Sequence, residues 1–113
     1  MEIFTAIVFF HMKSIRLDSY VVDSLMADLV GHDKKPSAFV VYLYLWSRLA
    51  TTRLKKVEVS HQTIANDTGL SKSAVQKSIT HLLRRQLIRS ELRFKTSTPL
   101  YAILRPWRRR MGH

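Results

Sequence analysis

The sequence has no cysteine among its 113 residues, which excludes disulfides and thiolate metal sites. Its five histidines are scattered without the pairing typical of metal ligands, so we predict neither a metal nor another cofactor. Glycine is almost as rare, and Gly31, Gly69 and Gly112 form no glycine-rich loop that could cradle a phosphate. The carboxylates show no paired spacing, and no Ser-His-Asp arrangement can be argued. We therefore interpret the chain as non-enzymatic.

Acidic residues are scarce over most of the chain. The sequence holds 19 lysines and arginines against eight aspartates and glutamates, a net charge of +11. Residues 34–113 contain 17 basic and three acidic residues, a net charge of +14, whereas residues 1–33 contain two and five, a net charge of −3. Such a segregated basic field raises the rate of encounter with nucleic acid or with an anionic membrane.

A hydrophobic run long enough for a membrane is also missing. The apolar stretch at residues 3–10 is too short to span a bilayer, which needs about 20 residues, so no membrane insertion is predicted. The stretch lacks the basic start and cleavage site of a signal peptide. It could be an arm that packs on a partner subunit, a surface anchor, or an extension upstream of a start at Met12. We favour a disordered or partner-packed arm over residues 1–17.

A central segment predicts two short helices joined by a sharp turn. Ser60 and Ser71 are each placed to cap a helix, because a serine hydroxyl accepts a backbone N–H of the first turn. Between them, Ala65 is small where two helices approach closely, and Gly69 can adopt the positive φ that the turn needs. Leu70 then fills the gap between the helices. This order is typical of a helix-turn-helix, whose second helix enters the major groove of DNA.

The second helix, predicted over residues 71–85, has two contrasting faces. An apolar stripe at helical spacing predicts the buried face, and it consists of Val75, Ile79, Leu82 and Leu83. The opposite face is polar and basic, and no carboxylate occurs in residues 71–90. A solvated helix usually mixes both signs of charge, so an acid-free face favours a polyanionic partner. A merely solvated face is the alternative.

The stretch TIANDTGLSKSAVQKSITHLLRRQLI, residues 63–88, resembles the helix-turn-helix of bacterial winged-helix DNA-binding proteins. This type occurs in MarR-like and GntR-like regulators and in the N-terminal domains of plasmid and phage replication initiators. Gln86 departs from the pattern, because the family usually has glycine before the strand. The matching residues are Ala65, Thr68 to Ser71, Ala74, Val75, Leu82, Leu83, Leu87 and Ile88.

The flanking segments predict two further helices. The first, over residues 18–30, has a stripe that includes Val22 and Met26 and begins at a cap on Asp18 or Ser19. The second, over residues 36–52, is apolar nearly all round, so it must be covered by the domain core and by either the first helix or a second subunit.

Two alternating segments, residues 87–94 and 100–104, predict a β-hairpin that would form the wing. We expect Leu92 and Phe94 to face the second strand across this hairpin. Its basic tip could reach phosphates or a minor groove, and an ordinary polar turn is the alternative. The predicted fold is mainly α with a small β-hairpin, in the α+β class: a winged helix-turn-helix at residues 18–105, with a three-helix core, a wing and an extra N-terminal helix.

The last residues, 106–113, predict a basic tail. Pro106 blocks continuation of the preceding strand, so we expect the tail to leave the domain. Its arginines could neutralise phosphates without reading sequence. Trp107 could stack on a base, but packing on the edge of the domain is favoured.

Together these features predict sequence-specific binding of double-stranded DNA, by a transcriptional regulator or a replication-initiation factor of the bacterial cytoplasm and nucleoid. A second copy is the other candidate partner, forming a homodimer through the N-terminal arm and the helices within residues 18–52. Gln76 is the predicted base reader, because its amide can pair with adenine through two hydrogen bonds. The predicted DNA-contacting residues are Ser60, Thr63, Ser71, Lys72, Ser73, Gln76, Lys77, Thr80, Arg84, Arg85, Arg93, Lys95, Thr96, Ser97, Arg108, Arg109 and Arg110.

Two other classes of function stay open at this point. A winged-helix adaptor would use the same helix to dock on a protein. A basic protein of another kind would bind RNA or the surface of an anionic membrane.

Overall fold

The computed structural model describes residues 14–95 and 97–111, with side chains as far as Arg108. Within these residues the chain forms five helices and one three-stranded antiparallel sheet, so the predicted α+β class is confirmed. Residues 1–13 of the predicted arm and Thr96 of the predicted hairpin tip lie outside the described residues. The elements are α1 (Val21–Leu25 and Ala27–His32), α2 (Pro36–Thr52), β1 (Val57–Glu58), α3 (His61–Thr68), α4 (Lys72–Arg84), β2 (Ile88–Glu91), β3 (Leu100–Ile103) and α5 (Pro106–Met111).

Helix α1 consists of two π-helical stretches rather than one regular α-helix. The backbone N–H of Met26 bonds to the carbonyl of Val21, five residues earlier. Each turn therefore takes more than 3.6 residues, and side chains four apart share a face. Val21, Leu25 and Leu29 are buried, whereas Val22 is 50% exposed and Met26 is exposed too. The prediction that Val22 and Met26 belong to the buried stripe is wrong for this reason.

Helix α2 lies at the centre of the molecule. It begins at Pro36, as predicted, because the missing N–H of proline costs nothing in a first turn. It packs against α1, α3, α4 and the sheet, so a single chain covers most of its apolar surface. Tyr42 is fully buried, and its hydroxyl donates to the carbonyl of Leu104 at 2.9 Å. The Trp46 indole N–H donates to the carbonyl of Arg16 at 2.7 Å, which ties the end of the predicted arm to α2.

The strands lie in the order β1–β3–β2. Val57 stands opposite Tyr101, and Ile88 stands opposite Ile103. The β2–β3 hairpin is therefore confirmed, but β2 ends earlier than expected.

The prediction that Leu92 and Phe94 face the second strand is wrong. Leu92 is 53% exposed and Phe94 is 73% exposed, because strand pairing stops at Glu91 opposite Leu100. Pro99 precedes that last pair, and a proline has no N–H with which to extend the ladder. The segment beyond Glu91 therefore leaves the sheet and projects its apolar side chains into solvent.

The C-terminal segment folds back instead of leaving the domain. Pro106 starts α5, where proline is tolerated in the first turn. Trp107 is only 5% exposed, and its ring stacks on Tyr20 and Trp46 at centroid distances of 4.7 and 6.4 Å. Its indole N–H donates to the carboxylate of Asp18 at 2.9 Å. The Asp18 side chain therefore binds α5 and does not cap α1. The predicted packing of Trp107 on the domain is confirmed. The prediction that the tail leaves the domain is wrong for Pro106 to Arg108.

Candidate nucleic-acid interface

Helices α3 and α4 meet at the turn that the sequence predicts. The Ser60 hydroxyl accepts the backbone N–H three residues on at 3.1 Å, and Ser71 does the same at 3.0 Å. Gly69 has φ +84°, and its N–H donates to the carbonyl of Ala65 at 2.9 Å. Both predicted caps and the predicted left-handed turn are therefore confirmed. They set the direction in which α4 leaves α3.

The inner face of α4 anchors the helix in the core. Val75 and Leu82 are fully buried, and Ile79 and Ser78 are nearly so. Leu83 was predicted in the same stripe, but it is exposed, since it lies farther round the helix than the other three apolar residues. Helix α2 provides the most extensive packing surface for α4. The rotation of α4 about its own axis is thereby determined by buried apolar contacts.

The outer face of α4 is open to solvent and contains no acid. Between described residues, no ion pair within 4.0 Å involves Lys72, Lys77 or Arg84. The cations of this face are therefore available to an external anion. We call this surface the α4 outer face, and its exposed residues are Ser71, Lys72, Ser73, Gln76, Lys77, Thr80 and Arg84.

One side of the α4 outer face forms an open groove of about 260 Å³. Lys35, which precedes α2, brings a third cation to this groove beside Lys77 and Arg84. Sequence reasoning missed Lys35, because nothing in its local pattern indicates that it lies next to a helix so distant in the chain. Several cations around one concave surface suit a phosphate group.

A buried carboxylate ties the back of α4 to the end of α1. Asp33, whose side chain is 7% exposed, accepts hydrogen bonds from His81 at 2.7 Å and from His32 at 2.8 Å, and it also pairs with Arg85. Burial by itself would raise the pKa of Asp33. The hydrogen bonds from His32 and His81 and the charge of Arg85 outweigh it and lower that pKa to about 2. The carboxylate is therefore ionised and holds α4 against α1.

Arg85 was predicted to contact phosphate, and in the structure it is paired with two carboxylates of the chain. Its guanidinium points toward α1, where it pairs with both Asp28 and Asp33. Asp28, His32 and Asp33 also bring possible metal-ligand atoms within 4.8 Å of one another, an arrangement that the sequence did not predict. Arg85 supplies positive charge to both carboxylates. Their negative charge is therefore balanced by an ion-pair network between α1 and the end of α4.

Arg108 also forms an ion pair within the chain, although its side chain is 54% exposed. It donates to the two carboxylate oxygens of Asp18 at 2.7 and 2.8 Å. The hydrogen bonds from Arg108 lower the pKa of Asp18, burial opposes them, and the indole of Trp107 adds to the lowering. The phosphate contact of Arg108 stays a prediction, and it would compete with this ion pair. The side chains of Arg109 and Arg110 lie outside the described part of the chain.

Two of the three side-chain carboxylates in residues 34–113 are paired with cations. Asp67 at the end of α3 accepts hydrogen bonds from Tyr44 at 2.6 Å and from Arg48 at 2.8 Å, which lower its pKa. Glu91 at the end of β2 pairs with Lys56. These contacts reduce the repulsion that either acid would exert on a polyanion, and the first also joins α3 to α2.

The tip of the β2–β3 hairpin presents basic and aromatic side chains together. Arg93 and Lys95 are exposed, as predicted, and Phe94 lies between them. Ser97 closes the turn, because its hydroxyl accepts the N–H of Phe94 and its own N–H donates to the Phe94 carbonyl, each at 3.0 Å. The serine hydroxyl is therefore used within the turn. The exposed aromatic ring at this tip is a feature that the sequence reading assigned to the interior.

A histidine joins the start of α3 to the sheet. The Nε2 atom of His61 lies 3.1 Å from the Tyr101 hydroxyl of β3. Burial lowers the pKa of His61, and the nearby charge of Lys72 lowers it further. The contact between His61 and Tyr101 joins α3 to β3, and α4 packs against β2, so the sheet of the hairpin lies against both helices. Ser60 and the exposed Thr63 lie at the start of α3 in the same region.

In the described ranges, no helix combines the length and the apolar character needed to cross a membrane. Comparisons with protein-family models, with curated proteins and with solved structures each found no match.

Proposed function

We propose that this protein is a non-enzymatic, winged-helix protein that binds specific sequences of double-stranded DNA, as a transcriptional regulator or a replication-initiation factor. The observation that carries the proposal is the α4 outer face, which is exposed, basic and free of acid while the opposite face is locked in the core. A helix presented in this way has the shape and charge to enter a major groove.

The arrangement of the other elements supports the winged-helix assignment. The order is α2, β1, α3, α4 and then the β2–β3 hairpin, and β1 pairs with β3 rather than with its neighbour in sequence. The hairpin, whose strand β2 packs against α4, would serve as the wing. Its exposed cations, Arg93 and Lys95, would bind phosphates next to the groove that α4 occupies.

In the proposed complex, some residues of the α4 outer face contact bases and others contact backbone phosphates. Gln76 is the reader, since its amide can both donate to and accept from adenine, and Lys72 can donate to guanine or to phosphate. Lys35, Lys77 and Arg84 surround the groove beside α4 and would hold a backbone phosphate there. Such contacts set the register of the protein on the duplex without specifying bases.

The test is a selection of bound sequences from random duplexes, followed by affinity measurements at several salt concentrations. We expect an enriched site and an affinity that falls steeply with salt, because each neutralised phosphate releases counterions. Lys77→Glu should weaken binding far more than Arg16→Glu, which makes the same change in net charge before α1. Equal losses, or tighter binding to single-stranded RNA or anionic vesicles than to any duplex, would contradict the proposal.

A further inference from the structure

Phe94 is the most exposed large hydrophobic residue of the described chain, at 73%. Isolated apolar side chains on a surface are common and need no explanation. This one differs in its surroundings, because Arg93 and Lys95 flank it and both are exposed. An aromatic ring between two cations, at the end of a hairpin, is complementary to a polyanion that also offers flat apolar surfaces.

The backbone at this position is held in place. Phe94 exchanges two hydrogen bonds with Ser97, one through the serine hydroxyl and one through its N–H, each 3.0 Å long. Below the turn, Glu91 and Leu100 form the last pair of the β2–β3 ladder. The ring is therefore presented outward by a closed turn, although the alternating pattern of the strand would have placed it against the sheet.

We propose that Phe94 is a wedge that inserts between two adjacent base pairs of duplex DNA from the minor groove. Arg93 and Lys95 would bind the phosphates on either side of the opened step. The inference rests on the proposed function and adds a second contact to it, distinct from the major-groove contact of α4. Apolar side chains that enter a base step from the minor groove unstack it and bend the duplex.

The position of the hairpin suits this contact. His61 at the start of α3 lies 3.1 Å from the Tyr101 hydroxyl of β3, and α4 packs against β2, so the sheet that carries the hairpin adjoins both helices. With α4 in a major groove, the hairpin reaches toward the neighbouring minor groove. Because pyrimidine–purine steps open most easily, the wedge would add a preference for such a step beside the sequence that α4 reads.

The experiment uses the full chain and the selected duplex, with 2-aminopurine placed in turn at each step flanking the α4 site. Wild-type protein should raise 2-aminopurine emission severalfold at one step and bend the duplex by about 20° or more. Phe94→Ala should abolish both signals and weaken binding about 10-fold, with the base preference of α4 unchanged. Phe94→Leu, which still offers a wedge, should retain part of each signal.

Leu92→Ala is the matched control, since Leu92 is an exposed apolar residue of the same segment but lies outside the turn that joins Phe94 to Ser97. It should leave emission, bend and affinity as in the wild type. Unchanged emission and bend in Phe94→Ala would overturn the wedge while the selected site still supports the proposed function. A protein with no duplex binding would overturn both. An equal loss of emission and bend in Leu92→Ala would also overturn the wedge, since the signals would then not be specific to the side chain of Phe94.

Discussion

At the scale of single residues, Asp33 links α4 to the end of α1. It is buried, it is ionised, and it receives hydrogen bonds or charge from His32, His81 and Arg85. Two of these three partners are on α4 or directly after it, so one carboxylate determines how the helix meets α1. The charge of Arg85, which the sequence alone would assign to DNA, is used for this contact.

We expect Asp33→Asn to lower the free energy of unfolding by about 2 kcal/mol at pH 7. The reason is that the pKa of Asp33 falls from 3.8 to about 2 on folding, and one pKa unit corresponds to about 1.4 kcal/mol. The folded-state pKa is the lower one, so this stabilisation is present above pH 3.8 and is lost as the pH falls toward 2. Urea denaturation from pH 7 downward should show wild type and variant converging at the acidic end. Asp23→Asn, a control at an exposed aspartate of α1, should change little. A constant difference at every pH would contradict the assignment.

Gln76 is the residue on which base recognition depends in the proposed complex. Gln76→Ala should cost about 1–3 kcal/mol at one position of the selected site and relax the base preference there, while leaving the other positions unchanged. Repeating the duplex selection with the variant measures this directly. Gln62→Ala, an exposed glutamine of α3 outside the predicted contacts, is the control. If the two selected profiles were identical to that of the wild type, Gln76 would not be the reader.

At the scale of elements, the angle between α3 and α4 depends on one backbone conformation. Gly69 has φ +84°, and a β-carbon added there would meet nothing within 4 Å. Glycine is therefore required here for its positive φ, because the surrounding space could accommodate a β-carbon. Gln86, at φ +57°, shows that this chain also accepts a side chain in a left-handed turn where α4 leads into β2.

Gly69→Ala should lower the free energy of unfolding by about 1–2 kcal/mol, the cost of a β-carbon in a left-handed conformation. Gly31→Ala is a matched control, since it also has free space around the added carbon but lies within α1 at negative φ. It should raise stability by about 0.5–1 kcal/mol, because alanine favours a helix interior. Thermal unfolding of the two variants should shift in opposite directions, and shifts of the same sign would contradict this account.

At the scale of the whole molecule, the two ends of the described chain close the core together. Trp107 of α5 stacks on Tyr20 before α1 and on Trp46 of α2, and it bonds to Asp18. Arg108 pairs with the same aspartate. The acidic N-terminal part and the basic C-terminal part thus neutralise each other at this corner, which leaves the uncompensated positive charge around α4 and the hairpin.

Trp107→Ala should lower the free energy of unfolding by about 3–5 kcal/mol, because it removes a buried aromatic side chain that packs on Tyr20 and Trp46. Chemical denaturation followed by the fluorescence of Trp46 measures the loss. Leu54→Ala, at a side chain that is 60% exposed, should stay within about 0.5 kcal/mol of the wild type. A small effect of Trp107→Ala would mean that α5 contributes little to the fold and that the expected free tail was the better description.

The sequence by itself determined the α+β class, the caps at Ser60 and Ser71, the turn at Gly69 and the acid-free face of α4. All of these follow from neighbouring residues, since capping, positive φ and helical spacing act over a few positions of the chain. The direction of each basic side chain was decided only by the tertiary structure. Arg85 and Arg108 pair with aspartates of the N-terminal part and Lys35 joins a distant helix, because ion pairs and grooves form between residues far apart in sequence. Phe94 faces solvent for a related reason: strand pairing, which exists only once both strands meet, ends before it.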